Sequence, residues 1–434
     1  MVYIGQSLVS LKIFRCRGKK QKKRSKMVSG CQNWGRLAGV IVFVAAHFAL
    51  ACQSIASPGP SSLQKKISPL VGPRDSIMVS APNGATIVSI HADKALVPAS
   101  ILKILTSLAA IETLGGEFRF KTEFYTDQSN NLIIKGYGDP LLISERLNDI
   151  ASHLATLLSN VQNIILDDSY FVQPIRIPGR GISSEPYDAP NGALCVNFNT
   201  VAFTRNNGRW VTDEAQTPLL PAVIPKIEAS GLTTGRITLV AGQAEALEYT
   251  GALFQYFLNR SGVSVMGSIE RGRVNQRLDR KVWQYQSESN LFRTVAKLLE
   301  FSNNFIANQI LLVLGAEIEG APASVDKGLT VLKRYYHQTL GIKSGKIVEA
   351  SGISRHNRIT AAAMMEIIKR FSPHHELMRE INRQYYKTGH LKGIRTRAGY
   401  IKSRNGGLYG FVVMLNTPGK STHQIMRILE KELY

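Results

Sequence analysis

The sequence predicts an α/β (α+β) protein, an antiparallel sheet flanked by helices and split by a β-rich inserted domain. Three observations carry this. β-prone runs stand at both ends: Ser76–Ala81 and Ala85–His91 early, then Gln384–Thr388, Ala398–Lys402 and Tyr409–Leu415 late. Apolar helical patterns lie between them. From about 118 to 285 the pattern changes to short strands and turns with few helices. Strands contributed from both ends of a chain imply one split domain, and the middle is then the insertion.

Residues 1–36 hold ten Lys/Arg and no acid, so removing them lowers the net charge from +22 to +12. Leu37–Leu50 is an apolar run too short for a membrane span and right for a signal-peptide core. Ala49-Leu50-Ala51 reads as a cleavage site, with Ser54-Ile55-Ala56 as a second option and Met27 as a second candidate start. Residues 1–51 are therefore expected to be a leader, and the protein to be exported to the periplasm or cell envelope. Cys52 is a candidate lipid attachment point. Residues 52–74, opened by Ser57-Pro-Gly-Pro-Ser-Ser62, read as a flexible linker.

Residues 75–117 are expected to be the first catalytic segment. Pro82-Asn83-Gly84 joins its two strands as a hairpin turn. A helix follows, with apolar residues at 101, 102, 104, 105, 108, 111 and 114, ended by Gly115-Gly116. The insertion, 118–285, opens with strands at Phe118–Thr126 and Leu132–Gly136. Its helical patterns are Arg146–Leu158 and Gly251–Asn259. The second catalytic segment, 286–434, has helices at Glu288–Leu314, Ser324–Leu340 and Ile359–Phe371, then three strands. Asn405-Gly406-Gly407 turns between the last two strands, and Thr422–Leu433 closes the chain as a helix.

Chemistry is concentrated in three short motifs. Ser100-Ile-Leu-Lys103 opens the first long helix, where residues three apart share a face. It offers a nucleophile with its own base and needs no histidine, because a desolvated lysine is readily pushed towards neutrality. Ser302-Asn303-Asn304 lies where one helical pattern gives way to another. Lys387-Thr388-Gly389 ends a β-prone run. Each has a decoy: Ser62-x-x-Lys65 in the Pro/Ser stretch, Ser129-Asn-Asn131 in a hairpin turn, and Lys343-Ser-Gly345 in another turn. What distinguishes the three is their order, each on a suitable element.

That ordered triplet resembles the penicillin-recognising serine enzymes. The flanking text, Gly138-Asp-Pro-Leu141, Ile164–Phe171, Val196–Val201 and Ala350-Ser-Gly-Ile-Ser-Arg-His-Asn357, is similar to the low-molecular-weight class C penicillin-binding proteins. These are the D-alanyl-D-alanine carboxypeptidase/endopeptidases of peptidase family S13. The resemblance covers roughly residues 70–434 and implies a penicillin-binding transpeptidase-like domain. The stretch of about 200 residues from Ser100 to Ser302 suits this group, because it must hold an extra domain. It disfavours a β-lactamase.

By this resemblance Ser100 is the nucleophile, Lys103 its base, and Ser302 a proton relay to the leaving amine. Asn304 holds Lys103 and a substrate amide in register. Lys387 and Thr388 receive the terminal carboxylate, and Lys387 lowers the basicity of Lys103. Gly389 lets substrate backbone lie against the strand. The backbone N–H groups of Ser100 and His390 form the oxyanion hole. Arg355 and Asp167 are expected to face each other across the cleft and pair with a zwitterionic side chain such as diaminopimelate. The substrates implied are peptidoglycan stem peptides, with β-lactam antibiotics as covalent inhibitors. The alternative is a non-catalytic wall-binding protein on the same fold.

No cofactor or metal site is expected: there is no H-E-x-x-H, and Cys195 is the one cysteine beyond position 52. The dispersed positive charge lacks the aromatic-interleaved patch of a nucleic-acid binder. It suits an anionic wall polymer, a membrane face, or plain solubility. Nothing in the sequence gives an oligomeric state. Two departures bear on substrate preference: the family's P-L-x-G-x-D-G stretch between Arg355 and Lys387 has no counterpart, and Lys392 replaces a neutral polar residue.

Overall fold

A computed structural model describes residues 61–238 and 243–434. The leader, Cys52 and both candidate cleavage sites lie outside the described residues.

The expected linker is in part a folded element. Helix α1 spans Ser62–Ile67, with the Ser61 hydroxyl accepting from the Gln64 N–H as its cap. Leu63 and Ile67, four apart on one helix face, are buried. The Pro/Ser composition that suggested a linker stops just before them. Strands β1 (Asp75–Ser80) and β2 (Thr86–Ile90) form the expected hairpin. Its turn places Gly84 at φ +84°, a conformation that glycine adopts without strain. Helix α2 (Leu102–Leu114) follows a 3₁₀ turn at Ala99–Ile101, and the chain leaves it through Gly115 at φ +84°.

The inserted segment supplies β3 (Arg119–Thr126), β4 (Leu132–Gly136), α3 (Ser144–Ala155), β5 (Asn160–Val161) and β6 (Ile164–Asp167). Then come β7 (Thr200–Asn206), β8 (Arg209–Thr212), α4 (Ile224–Ala229), β9 (Thr234–Thr238), α5 (Gln243–Arg260), β10 (Ser264–Val265), β11 (Ile269–Arg271) and β12 (Arg280–Asn290). A five-stranded sheet runs β11-β6-β4-β3-β12, and β8-β7-β9 form a three-stranded one. Phe124, Ile134, Leu147, Leu166, Phe203, Phe254 and Tyr285 belong to a core of this segment's own. The expected boundary at 285/286 falls inside β12, because that strand pairs with β3 from Arg280↔Thr126 to Asn290↔Arg119.

The chain returns through α6 (Leu291–Phe301), α7 (Asn304–Glu319), α8 (Val325–Arg334) and α9 (Ala361–Phe371). It then forms β13 (Arg379–Ile381), β14 (Gln384–Leu391), β15 (Ile394–Lys402), β16 (Leu408–Leu415) and α10 (His423–Leu433). The six-stranded antiparallel sheet has the order β13-β14-β15-β16-β1-β2. Its two ends of chain are joined by β1–β16 pairing, Asp75↔Leu415 to Ser80↔Gly410. Strand alternation sorts the side chains by face. Ile77, Val79, Phe411, Val413 and Leu415 pack under α1 and α10. On the other face lies the core built around α2, α6, α7 and α9.

Candidate active site

Ser100 sits in a turn that its neighbours leave little freedom. Ala99 has φ +50°, unusual for a residue with a side chain. Two glycines clamp the turn. A Cβ on Gly352 would lie 1.9 Å from the Ala99 carbonyl oxygen, and one on Gly389 would lie 2.8 Å from the Ser100 nitrogen. The Thr396 hydroxyl donates to the Pro98 carbonyl at 2.7 Å and ties the turn to β15. Gly389 is therefore required by the packing of β14 on the Ser100 turn. The same Cβ would also meet Thr396 Oγ1 at 2.2 Å. This adds a steric reason to the expected one, room for the substrate backbone.

Lys103, one turn along, is fully buried. Its Nζ lies 3.0 Å from Ser100 Oγ, 2.8 Å from Asn304 Oδ1 and 2.6 Å from the Ser351 carbonyl. A neutral amine has two N–H donors and one lone pair. The two carbonyl oxygens take the donors, which leaves the lone pair directed at the serine O–H. Burial, then the nearby Lys387 charge, hold Lys103 well below the ordinary lysine range, while Glu349 opposes the shift. Desolvation and Lys387 repulsion, both expected, act together, with desolvation the larger. Lys387 is itself brought down to about 8 by burial.

The second motif is a break between two helices. Ser302 takes a left-handed conformation, φ 55°, as the end of α6. The Asn303 side chain then caps α7 by accepting from the Ile306 N–H at 3.1 Å. Asn304, first residue of α7, is thereby aimed at Lys103, and its Nδ2 donates to the Tyr187 carbonyl at 3.4 Å. The Ser302 hydroxyl makes no hydrogen bond among the described residues.

On β14, Lys387 and Gly389 are buried while Thr388 and His390 alternate outwards. Lys387 Nζ donates to the Thr388 carbonyl at 2.9 Å. β13 covers only Gln384–Tyr386, so among the described residues the outer edge of Lys387–Leu391 has no partner strand. An extended peptide adds naturally to such an edge.

The expected placement of Asp167 is corrected. Asp167 is buried and accepts from the backbone N–H groups of Ser169 and Val274, with Lys135 3.8 Å away. A carboxylate held inside its own domain by these partners does not project into a cleft. Arg355 is exposed and donates to the Lys392 carbonyl at 2.6 Å; it is the burial of Asp167 that speaks against the expected facing pair. Lys392, read as a departure in side chain, serves here through its backbone.

The insertion instead reaches the site through residues 179–188. A Cβ on Gly179 would lie 2.6 Å from Ser354 Cα. Asp188 organises this loop by accepting from Gly181 N–H and the Ser183 hydroxyl. Ile182 is 90% and Tyr187 55% exposed, and the Tyr187 carbonyl meets Asn304. The loop's Gly, Ser and Pro content reads only as a turn. The decoys resolve physically: Ser62 starts α1, and Asn130 occupies a tight turn at φ 59°. A cavity of about 590 Å³ borders Asn303 and Pro186, but Ser100, Lys103 and Lys387 are not among its walls. Ser100 lies against β14.

Residues 71–236 and 232–384 match the D-Ala-D-Ala carboxypeptidase 3 (S13) family. A D-alanyl-D-alanine carboxypeptidase of Actinomadura sp. (strain R39) is 26% identical over 346 residues. That match covers 67% of this chain and 63% of the relative, so this chain spans less than two thirds of its length. Penicillin binding protein 4 of Haemophilus influenzae has the same fold, with a TM-score of 0.70 at 19% identity over 86% of this chain and 99% of that one. A predatory endopeptidase of Bdellovibrio bacteriovorus, bound to an immunity protein, gives a TM-score of 0.51 at 17% identity, covering 82% of this chain and 92% of its own. With the family match running through all but the last strands of the split domain, the chain belongs to the D-Ala-D-Ala carboxypeptidase 3 (S13) family.

Proposed function

We propose that the protein is a serine D-alanyl-D-alanine carboxypeptidase that trims peptidoglycan stem peptides through an acyl-enzyme on Ser100. The observation that carries this is the three-way setting of Lys103 Nζ, with two carbonyl acceptors and the Ser100 hydroxyl. In the acylation step the Ser100 proton passes to Lys103 as Oγ bonds to the carbonyl carbon of the penultimate D-alanine. The C–N bond then breaks, and the leaving amine takes a proton relayed by Ser302. Water later attacks the ester, and the proton returns to Ser100. The N–H groups of Ser100 and His390 receive the oxyanion. Lys387 and Thr388 hold the terminal carboxylate, and the open edge of β14 takes the peptide as an added strand. The same steps cleave a cross-link when the leaving amine belongs to a neighbouring stem.

A β-lactam presents the same acyl carbonyl and is expected to acylate Ser100. Substrates of this kind imply an exported, cell-envelope protein, as the leader suggests. Among the described residues, no helix is long and apolar enough to cross a membrane. With a pentapeptide ending in D-Ala-D-Ala, the wild type should release D-alanine and Ser100→Ala should not. Lys103→Ala should be slower by about 10²–10⁴-fold, the usual contribution of a positioned acid–base group. Turnover that survives Ser100→Ala contradicts the reading.

A further inference from the structure

Glu349 is fully buried and has no cation within ion-pair distance among the described residues. Six donors surround its carboxylate. Oε1 accepts from the N–H groups of Gly352 (2.7 Å) and Ser354 (3.3 Å) and from Asn357 Nδ2 (2.6 Å). Oε2 accepts from Ser351 N–H (2.6 Å), the Ser351 hydroxyl (2.6 Å) and Asn308 Nδ2 (3.4 Å). The orientation of both amides is fixed from their other ends: Asn357 Oδ1 accepts from Val348 N–H and Asn308 Oδ1 from Ala350 N–H. The Ser351 oxygen accepts from Ile353 N–H, which frees its proton for Glu349. Five of the six donors are N–H groups that can only donate, so both carboxylate oxygens are held as acceptors.

The turn wound around that carboxylate touches the reacting groups twice. Its Ser351 carbonyl accepts a hydrogen bond from Lys103 at 2.6 Å. Its Gly352 packs on the Ala99 carbonyl beside Ser100. Building on the Ser100–Lys103 reading above, we propose that Glu349 is a positioning residue for the catalytic lysine. Its carboxylate winds the 351–357 turn onto Lys103 and Ala99, and its charge is the counter-charge of a site otherwise holding two buried lysines. The charged groups acting on Lys103 are Lys387, from β14, and Glu349, from this turn.

Two roles are separable by experiment. Acylation needs neutral Lys103, so its rate rises with pH through the titration of that amine. An anion nearby favours the ammonium and sets the limb higher. Glu349→Gln removes the charge and turns an amide NH₂ towards three donors. Acylation by benzylpenicillin should then show its acid limb lowered by about one pH unit, of the order expected for a nearby charge. Its plateau should fall roughly 10–100-fold, as expected when a positioned base loses its register. Glu349→Asp keeps the charge but sets it back by one methylene; its limb should stay in place while the plateau falls. A folded Glu349→Gln with a wild-type profile, or with a lowered plateau and an unmoved limb, overturns the proposal. If Glu349→Gln does not fold, wild-type acylation by Glu349→Asp overturns it. Ser100→Ala measured alongside keeps the two readings apart: an adduct in that variant defeats the Ser100 assignment whatever Glu349 does.

Discussion

Lys387 shows how one side chain acquires a pH-dependent role from its surroundings. Burial depresses it to about 8 from the ordinary value of 10.5. Below that value it is a cation able to hold a carboxylate, and above it the charge is lost. KM for a peptide with a free terminal carboxylate should therefore rise as pH passes about 8, while a substrate amidated at that carboxylate shows no such rise. Equal profiles for the two substrates would mean that Lys387 does not meet the carboxylate. At this scale the sequence was most legible where partners are close along the chain, as with Ser100 and Lys103. Ser302-x-Asn304 was legible because two apolar patterns break there. Glu349 and Tyr187 were not legible. Glu349 reaches Lys103 through Ser351, and the Tyr187 carbonyl accepts from Asn304, links that no local pattern encodes. Asp167 misled for the same reason, since its partner Val274 is far along the chain.

Among the elements, α1 was hidden by the composition before it. Leu63 and Ile67 are the signal, two apolar residues one helical turn apart, and they close the sheet face shared with Ile425, Leu429 and Leu433 of α10. Ile67→Ala should destabilise the protein by about 2–5 kcal/mol, as large-to-small changes in a packed core do. Chemical denaturation measures this, and a loss below about 0.5 kcal/mol, the range of surface substitutions, would mean that α1 is not part of the core. The β1–β2 hairpin and β14–β16 were legible from alternation and turn residues. β12 does not read as one long strand: it is mostly polar with only Tyr285 and Ser287 buried, and its pairing with β3 is set by tertiary contact.

At the scale of the whole molecule, the chain builds one site from pieces far apart in sequence. Ser100 and Lys103 come from before the insertion; Asn304, Ser351 and Lys387 come from after it. The 179–188 loop arrives from within it. β1–β16 pairing joins the two outer segments, so the three motifs meet only when the split domain closes. The split was legible, because strands appear at both ends of the sequence with a change of pattern between. How the insertion approaches the site was not, since a loop with turn composition carries no record of what it packs against. The central claim is that this closure makes Ser100 a nucleophile. Mass spectrometry after incubation with benzylpenicillin tests it most directly: one penicilloyl group should appear on the peptide containing Ser100 and vanish in Ser100→Ala. No adduct on the folded wild type, or an adduct on a peptide lacking Ser100, would contradict the account.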